Sequence, residues 1–457
     1  MYDLVVRGGR LATAGDEVGT DVGVDGGRIA QIGGPMRGRR EVDASGCLLL
    51  PGAVDMHVHL TVPDGRRPGP SWCDDFESGT AAALAGGVTT VGNMCVPEPR
   101  GDALGALARD RARAERMAMA DVLLHPVLSS PGADALALLE GLRRLGAGSV
   151  KMFMVDPAFD RAGAAILLLL RRARELGLLT MLHAEDASLV EGATAALLAA
   201  GDAGFEHYGE SRPVLSEAVA VERAAALSAL TRAPVYLVHV SSAEALEAAA
   251  RGRARGARVY VETRPLYLHL TAERMLEADG AKYVGQPPLR AEADQRALWR
   301  GLAEGTVSTV GSDHAPWRLE DKLDPSLDVG HVRAGVANLE WELPMLYSEG
   351  VATGRLSLER LVEVTSTNAA RLFGLYPRKG TIAVGSDADL VVLDPALRRT
   401  IGPPYESRAG YSVFDGRTVE GWPRQTIRRG ELVFEDGRVL AQPGSGRLLV
   451  SGGHRAL

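Results

Sequence analysis

The pattern of hydrophobic and polar residues divides the chain into three stretches. The first 50 residues alternate short apolar strands with glycine-rich turns, as in Asp3–Arg7 and Arg28–Ile32. Residues 380–440 repeat this pattern, with an apolar strand at Asp389–Leu393 and a turn at Arg429-Gly430. Between these stretches, apolar strands alternate with amphipathic segments of helical length, which is typical of an α/β fold.

The middle stretch contains eight predicted strands separated by segments of helical periodicity. The strands are Gly52–His57, Thr89–Met94, Asp121–Leu128, Ser149–Met154, Leu178–His183, Pro234–His239, Val259–Glu262 and Val307–Gly311. Eight strand–helix units predict an α/β fold of the TIM (β/α)8 barrel class. An open doubly wound sheet is the alternative, but no G-x-G-x-x-G motif follows an early strand.

These stretches predict two domains. Residues 51–375 form the TIM barrel, and residues 1–50 together with 376–457 form a small β-sandwich domain. The loop Thr61–Ser71 carries three prolines and two glycines and is predicted to be flexible. Arg66 and Arg67 in this loop, and Arg100 in a later one, are either specificity residues or ordinary solvated charges.

Composition is that of an ordinary globular protein. The 457 residues are 46% hydrophobic and 24% charged, with a net charge of −7. This charge, without a basic stripe, predicts that neither nucleic acid nor an anionic membrane is a partner. Three cysteines lack metal-type spacing and the N-terminus lacks a signal-peptide pattern, so we expect a reduced, cytoplasmic setting.

Lysine is the rarest basic residue in the chain. Only four of the 51 basic residues are lysines, and one of them, Lys151, lies in the predicted buried strand Ser149–Met154. A lysine in apolar surroundings can lose its proton, whereas an arginine cannot. A neutral amine can add CO2 to form a carbamate that bridges two metal ions. Taken alone, Lys151 is better explained as a structural lysine, either ion-paired in the core or extending its amine to solvent.

Four histidines and an aspartate lie at the ends of other predicted strands. His57 and His59 share one face of the first strand, because alternate strand residues point the same way. His183 and His239 end the fifth and sixth strands, and Asp313 follows the eighth. In a TIM barrel these strand ends converge on one mouth, where active sites lie.

These residue types suit a pair of divalent metal ions. The predicted sites, bridged by a Lys151 carbamate, are His57, His59 and Asp313 for one ion, and His183 and His239 for the other. Zinc is the foremost candidate because it takes neutral imidazole and carboxylate ligands. A hydroxide shared by both ions would be the nucleophile, since metal coordination lowers the pKa of water to about 7. Asp313 would pass the proton to a leaving amine, which makes Asp313 and Lys151 the predicted catalytic residues.

The same motifs resemble those of the amidohydrolase superfamily with a carbamylated lysine, and within it the dihydropyrimidinase/hydantoinase group of cyclic amidohydrolases. The resemblance covers nearly the whole chain and is carried by PGAVDMHVHL (51–60), KMFM (151–154), VHVSS (238–242), PPLR (287–290), GSDHAP (311–316) and TSTNAARLFGLYPRKGTIAVGSDADLVVLDP (365–395). It implies a binuclear zinc-type centre that hydrolyses the amide bond of a cyclic ureide or imide such as a hydantoin or dihydropyrimidine. It also implies a homotetramer or homodimer.

Departures from the family pattern concern the substrate. Asp156 stands where hydantoinases have a tyrosine that donates to the developing oxyanion, and loss of such a donor costs about 10²–10³ in rate. Gln286 replaces the family's serine, and Arg264 replaces its cysteine. Asn338 lies in the region that matches the family's substrate-contacting backbone. Asp156, Gln286 and Asn338 are the predicted substrate-binding residues, and Asp156 either binds a cationic substrate group or belongs to a rebuilt loop.

Other functions stay open at this point. Allantoinases also lack the tyrosine, so opening of the allantoin ring is one alternative, and hydrolysis of a different C–N bond by an aminohydrolase or N-acyl hydrolase is another. Dihydroorotases fit less well because His59 is followed by Leu60-Thr61 instead of their arginine. A noncatalytic interaction protein, like the collapsin response mediator proteins, fits least because those have lost metal ligands that this chain keeps.

Overall fold

The computed structural model describes residues 1–60, 70–98, 102–129 and 135–457. Its first five strands are β1 (Tyr2–Ala12), β2 (Glu17–Asp25), β3 (Arg28–Ile32), β4 (Gly38–Asp43) and β5 (Leu48–Pro51). Most of the loop predicted to be flexible, Thr61–Ser71, lies outside the described residues, and so do Arg66, Arg67 and Arg100.

The middle of the chain supplies eight strands, as the sequence predicted. They are β6 (Ala53–Val58), β7 (Val88–Cys95), β8 (Asp121–Pro126), β9 (Ser149–Phe153), β10 (Leu179–His183), β11 (Val235–Leu237), β12 (Val259–Thr263) and β13 (Thr309–Val310). The last four strands are β14 (Leu390–Thr400), β15 (Thr418–Arg428), β16 (Glu431–Glu435) and β17 (Arg438–Val439). Each predicted middle strand ends within one or two residues of the observed one.

The eight middle strands are parallel and pair in sequence order. β6, β7 and β8 form one sheet, and β9 to β13 form another. Single parallel bridges between Val127 and Lys151 and between Val58 and His314 connect the two sheets at both edges. This order of neighbours is the one that a (β/α)8 barrel requires.

Both ends of the chain contribute to one further sheet. Its order is β17-β16-β15-β14-β5-β1-β2-β3, with β4 paired to β1. The two ends meet where β14 runs antiparallel to β5, with Leu390 opposite Pro51. Inward-facing residues such as Val6 and Val392 form an apolar core separate from that of the parallel strands. The similar strand-and-turn patterns of the two termini therefore correspond to strands of the same sheet.

Helices separate the parallel strands and cover them. They are α1 (Phe76–Ala85), α2 (Ala103–Met117), α3 (Ala135–Arg144), α4 (Pro157–Arg161), α5 (Gly163–Glu175), α6 (Ala187–Ala200), α7 (Tyr208–Ser211), α8 (Val214–Thr231), α9 (Ala243–Ala254), α10 (Pro265–His269), α11 (Glu292–Glu304), α12 (Leu319–Lys322), α13 (Glu342–Leu346), α14 (Leu358–Val362) and α15 (Asn368–Leu372). None of the described helices has the length and apolar character needed to cross a membrane.

Side-chain caps fix the starts of α6 and α9, which follow β10 and β11 in the chain. Asp186 accepts a hydrogen bond from the Leu189 N–H at the start of α6, and Ser242 accepts one from the Ala245 N–H at the start of α9. Each cap satisfies an otherwise unpaired amide of the first helical turn. His183 ends β10, and His239 lies two residues after β11. Each is followed within three residues by the cap of a helix.

Lys379 connects the terminal sheet to the parallel strands. Its ammonium donates to Asp121 Oδ2 at 2.6 Å and Asp389 Oδ2 at 2.5 Å, and Asp387 Oδ2 lies 3.1 Å away. Asp121 begins β8, whereas Asp389 immediately precedes β14. Burial alone would lower the pKa of Lys379, but the three carboxylates outweigh it and raise the pKa above its ordinary value. The amine therefore carries the charge that these buried carboxylates require.

Replacing Lys379 by methionine should destabilise the fold strongly. The change removes the ammonium shared by three buried carboxylates, of which Asp121 keeps Arg429 and Asp387 keeps Arg378, and it predicts a loss of about 3–5 kcal/mol in the free energy of unfolding. Lys282→Met is the matched control, because Lys282 makes local contacts, an ion pair with Asp279 at 2.6 Å and a contact with the Tyr283 ring, and this variant should lose under about 1 kcal/mol. Denaturant unfolding measures both, and equal losses would contradict the role assigned to Lys379.

Candidate metal centre

Lys151 lies at the junction of the two parallel sheets. Its side chain is fully buried, and its Nζ has no hydrogen-bond partner among the described residues. The ring centroid of Phe153 lies 5.0 Å from Nζ. Burial lowers the pKa of Lys151 to about 7, although the charges of Asp313 and Glu262 oppose the shift. An amine in this state is available to react at neutral pH.

His57, His59 and Asp313 converge beside this amine. Asp313 Oδ1 lies 3.2 Å from His57 Nε2 and 3.1 Å from His59 Nε2. One ligand atom from each of the three residues lies within 4.8 Å of the others. Two imidazole nitrogens and one carboxylate oxygen at such separations are a donor set that suits a divalent ion such as zinc.

His183 and His239 form a second pair of donors. His183 Nδ1 and His239 Nε2 lie 3.0 Å apart, and both rings are buried. Burial lowers the pKa of both imidazoles, so both are neutral, which is the form that binds metal. The His239 Nδ1 and the Lys151 Nζ are buried polar atoms without a hydrogen-bond partner in the described part of the chain. Such orphaned donors fit a site that a metal ion completes.

Two buried carboxylates orient these imidazoles. Glu262 Oε1 lies 2.7 Å from His57 Nδ1 and accepts a hydrogen bond from the His239 N–H at 3.0 Å. Glu185 Oε2 lies 2.7 Å from His183 Nε2. A carboxylate behind a ligating histidine fixes its tautomer and raises its basicity. The sequence motifs did not predict this role, although both glutamates lie at or near a strand end.

Backbone strain coincides with two of the candidate ligands. His239 and Asp313 have φ angles of 43° and 47°, in the left-handed region that non-glycine residues rarely adopt. Such conformations cost of order 1–3 kcal/mol each and persist where the surrounding structure imposes them. Here the turn after β11 and the turn after β13 direct an imidazole and a carboxylate towards the same point.

One cavity of about 220 Å³ is lined by all six predicted ligands. Its remaining walls are largely apolar and include Trp72, Val96 and Phe153. The Trp72 ring centroid lies 4.6 Å from that of His59, and its indole N–H has no acceptor among the described residues. The structure therefore brings the predicted ligands together beside a space that a small molecule can enter.

The three predicted substrate-binding residues occupy different places. Gln286 lines the cavity, and its amide oxygen, when turned towards Arg212, accepts hydrogen bonds from the guanidinium at 3.1 and 2.9 Å. Asp156 is exposed, accepts a hydrogen bond from the Ala158 N–H at the start of α4, and lines a neighbouring cavity instead. Asn338 is buried behind the cavity and donates to the Ser312 carbonyl at 2.8 Å.

Lys322 holds one wall of this cavity. Its buried Nζ donates to the carbonyls of Val284, Arg333 and Gly335 at 2.7, 2.8 and 2.7 Å. Gly335 lines the cavity, and Val284 lies two residues before Gln286. A tetrahedral ammonium can satisfy three converging carbonyls, so this lysine ties two wall segments together.

Arg264, the replacement for the family's cysteine, contacts a candidate metal ligand. Its Nη1 donates to Asp313 Oδ2 at 2.6 Å, and its side chain is fully buried. Burial alone would raise the pKa of Asp313, but Arg264 and then His57 hold it well below its ordinary value. The sequence showed that Arg264 replaces a cysteine, but it did not show the contact with Asp313, because the two residues are 49 positions apart.

Comparisons with known proteins identify the family of this chain. The family model described as "Amidohydrolase family" matches residues 48–433. A D-hydantoinase of Ralstonia pickettii is 35% identical over 454 residues, which are 98% of each chain. The solved D-hydantoinase of Bacillus sp. AR9 superposes with a TM-score of 0.93 at 37% identity, and the dihydropyrimidinase of Brevibacillus agri gives 0.93 at 36%, each over 99% of both chains. The chain therefore belongs to the amidohydrolase family, within which it is similar to the D-hydantoinases and dihydropyrimidinases, as its motifs predicted.

Proposed function

We propose that this protein is a metal-dependent hydrolase that opens the amide bond of a cyclic ureide or imide of the hydantoin or dihydropyrimidine type. The supporting observation is that six residues, in or directly after five of the parallel strands, line one cavity. Relatives named D-hydantoinase and dihydropyrimidinase, similar over nearly the whole chain, support the same reaction class. A closed (β/α)8 barrel over residues 51–375, beside a small β-sandwich domain from 1–50 and 376–457, is the architecture that we propose for it.

Two divalent ions, with zinc as the foremost candidate, fit the donors in this cavity. His57, His59 and Asp313 would hold one ion, and His183 and His239 the other. When bound, the ions would supply a hydroxide nucleophile from water at neutral pH and polarise the substrate carbonyl. Neutral imidazoles, set by burial, are already in the protonation state that such ligands need.

Lys151 would bridge the two ions after reacting with CO2. The neutral amine attacks the carbon of CO2, an N–C bond forms, and one N–H proton leaves to solvent. The product carries one negative charge over two oxygens, so each oxygen is available to one ion. Before this reaction, the Lys151 amine has a pKa of about 7, so a large fraction of it is neutral at physiological pH.

Asp313 is the proposed proton carrier. It would take the proton released from water and deliver it to the leaving nitrogen of the substrate ring. Its Oδ2 is held by Arg264 at 2.6 Å, which fixes the orientation of the carboxylate and leaves Oδ1 towards the two histidines. The ion pair thus positions the group that moves the proton.

Gln286 is the proposed donor in place of the family's tyrosine. With its amide oxygen on Arg212, the amide nitrogen is free to donate into the cavity that Gln286 lines. Asp156 is exposed and does not line this cavity, which supports the interpretation of a rebuilt loop. The apolar walls at Trp72 and Phe153 would accept a hydrophobic ring substituent.

Variants of Lys151 test the carbamate. Lys151→Arg introduces a permanent positive charge and cannot form a carbamate, so turnover of a hydantoin should fall by several orders of magnitude. Lys151→Ala should regain part of its activity when short-chain carboxylic acids are added. Near-normal turnover of Lys151→Arg, assayed by ring-opening absorbance, would remove the carbamate from the mechanism.

A second readout of the same hypothesis needs no turnover. Metal-free protein in ¹³C-bicarbonate should show a carbamate resonance that grows as pH rises through about 7, because only the neutral amine reacts. Lys151→Met is the control for carbamates on Lys282 and the N-terminal amine, and it should lack this resonance. An identical spectrum for both proteins would count against Lys151.

Two variants distinguish the roles proposed for Gln286 and Asp156. Gln286→Leu should lower kcat by about 10²–10³, the usual loss for one oxyanion donor. Asp156→Asn keeps a helix-capping side chain and should leave kcat within about threefold of the parent. Steady-state kinetics on hydantoin and dihydrouracil measure both, and a larger loss for Asp156→Asn would instead favour direct substrate contact by Asp156.

We also propose that the protein is a homotetramer or homodimer. Helices α6 and α8 pack together and expose large apolar side chains, and Leu215 and Leu230 on α8 are 59% and 62% exposed. Exposed apolar residues grouped on neighbouring helices are typical of subunit interfaces. The names of the relatives do not mention an oligomeric state, so the proposal rests on these exposed side chains.

The double change Leu215→Glu and Leu230→Glu should dissociate the oligomer, because it places charges in an apolar contact. Val384→Glu is the control, since Val384 is 66% exposed but lies in the terminal segment before β14. Light scattering after gel filtration measures the mass. A monomeric parent protein, or equal masses for all three, would contradict the proposed interface.

A further inference from the structure

We propose that a second cavity, between the terminal sheet and the turn Leu339–Trp341, binds a small zwitterion that carries one ammonium and one carboxylate group. Its volume is about 260 Å³, and it shares no lining residue with the cavity of the metal ligands. The inference rests on the charges and rings that line this cavity, and it does not depend on the proposed function.

Two carboxylates mark one part of the cavity. Glu340 and Glu406 both line it, and neither forms an ion pair among the described residues. Within the described ranges, the Glu340 carboxylate accepts one long hydrogen bond, from the Glu406 N–H at 3.3 Å. Burial, together with the charges of Glu406 and Asp74, raises the pKa of Glu340 to about 8. A bound ammonium would supply the positive charge that these two groups lack.

An arginine marks the other part. Arg399 lines the same cavity, yet no carboxylate of the described chain lies within ion-pair distance of it. Its neighbour Arg398 pairs with Glu420 at 2.9 Å, so carboxylates are not scarce in this region. Arg399 instead stacks on Trp422, 5.5 Å from the ring centroid. Opposite charges therefore line one cavity without pairing to each other.

Two indoles complete the walls. Trp341 and Trp422 are 4% and 7% exposed, and their ring centroids lie 5.7 Å apart. Neither indole N–H donates a hydrogen bond to another described residue, although each ring lines the cavity. Their faces suit an ammonium or its alkyl groups, and their N–H groups suit a carboxylate. A ligand with both charges satisfies all of these groups, whereas a simple cation leaves Arg399 unpaired.

Calorimetric titration of the full-length protein tests the proposal with L-leucine and γ-aminobutyrate as probes. We expect one of them to bind at one equivalent per chain with millimolar or tighter affinity. Butyrate and butylammonium, which each carry one of the two charges, should bind at least about tenfold more weakly. Tighter binding of butylammonium than of either zwitterion would overturn the assignment of a dual-charge site.

Three variants locate the binding. Arg399→Gln and Glu406→Gln should each weaken it at least about tenfold, since each removes one charge partner. Arg398→Gln, on the same strand but paired outside the cavity, should leave it unchanged. Binding must also persist in Lys151→Ala, which separates it from the metal centre. Parent-like affinity in Arg399→Gln and Glu406→Gln, or no heat from either zwitterion up to about 50 mM, would overturn the proposal.

Discussion

The architecture of this site depends on one buried amine, for which the described part of the chain offers no hydrogen-bond partner. Lys151 Nζ is placed between β8 and β10, fully removed from solvent, without an acceptor or counter-ion at hydrogen-bond distance among the described residues. An isolated charge in such a place is costly, and burial therefore lowers the pKa of the amine to about 7. The surrounding strands, bridges and packed rings hold it there, so the fold maintains a reactive group that an isolated strand could not.

His59, His183 and His239 follow the same principle, since burial lowers the pKa of their imidazoles. Glu262 and Glu185 then determine which nitrogen of His57 and of His183 is directed outward. The unusual φ angles of His239 and Asp313 add a cost that the sheet and the capped helices absorb. Burial, hydrogen bonding and backbone strain thus act on one small volume, and each has a visible source elsewhere in the fold.

Sequence was sufficient where a short-range pattern determines the outcome. Apolar runs of strand length predicted all eight parallel strands, and the position of a residue at a strand end predicted that His57, His183 and Asp313 would meet. Patterns could not show the Arg264–Asp313 contact or the distance of Asp156 from the cavity. Those outcomes depend on which side chains the segments after β9 and β12 place inward, and this is decided by packing between segments far apart in sequence.

The four lysines show a second consequence of this packing. Lys151, Lys322 and Lys379 are each no more than 3% exposed, and each performs a task that suits a compact tetrahedral amine. Lys282, with a side chain 20% exposed, is the one lysine that solvent reaches. Reagents that acylate amines would therefore react mainly with Lys282 and with the α-amino group. Coupling to a solid support through amines would hold every molecule in one of two orientations, with the buried Lys151 untouched.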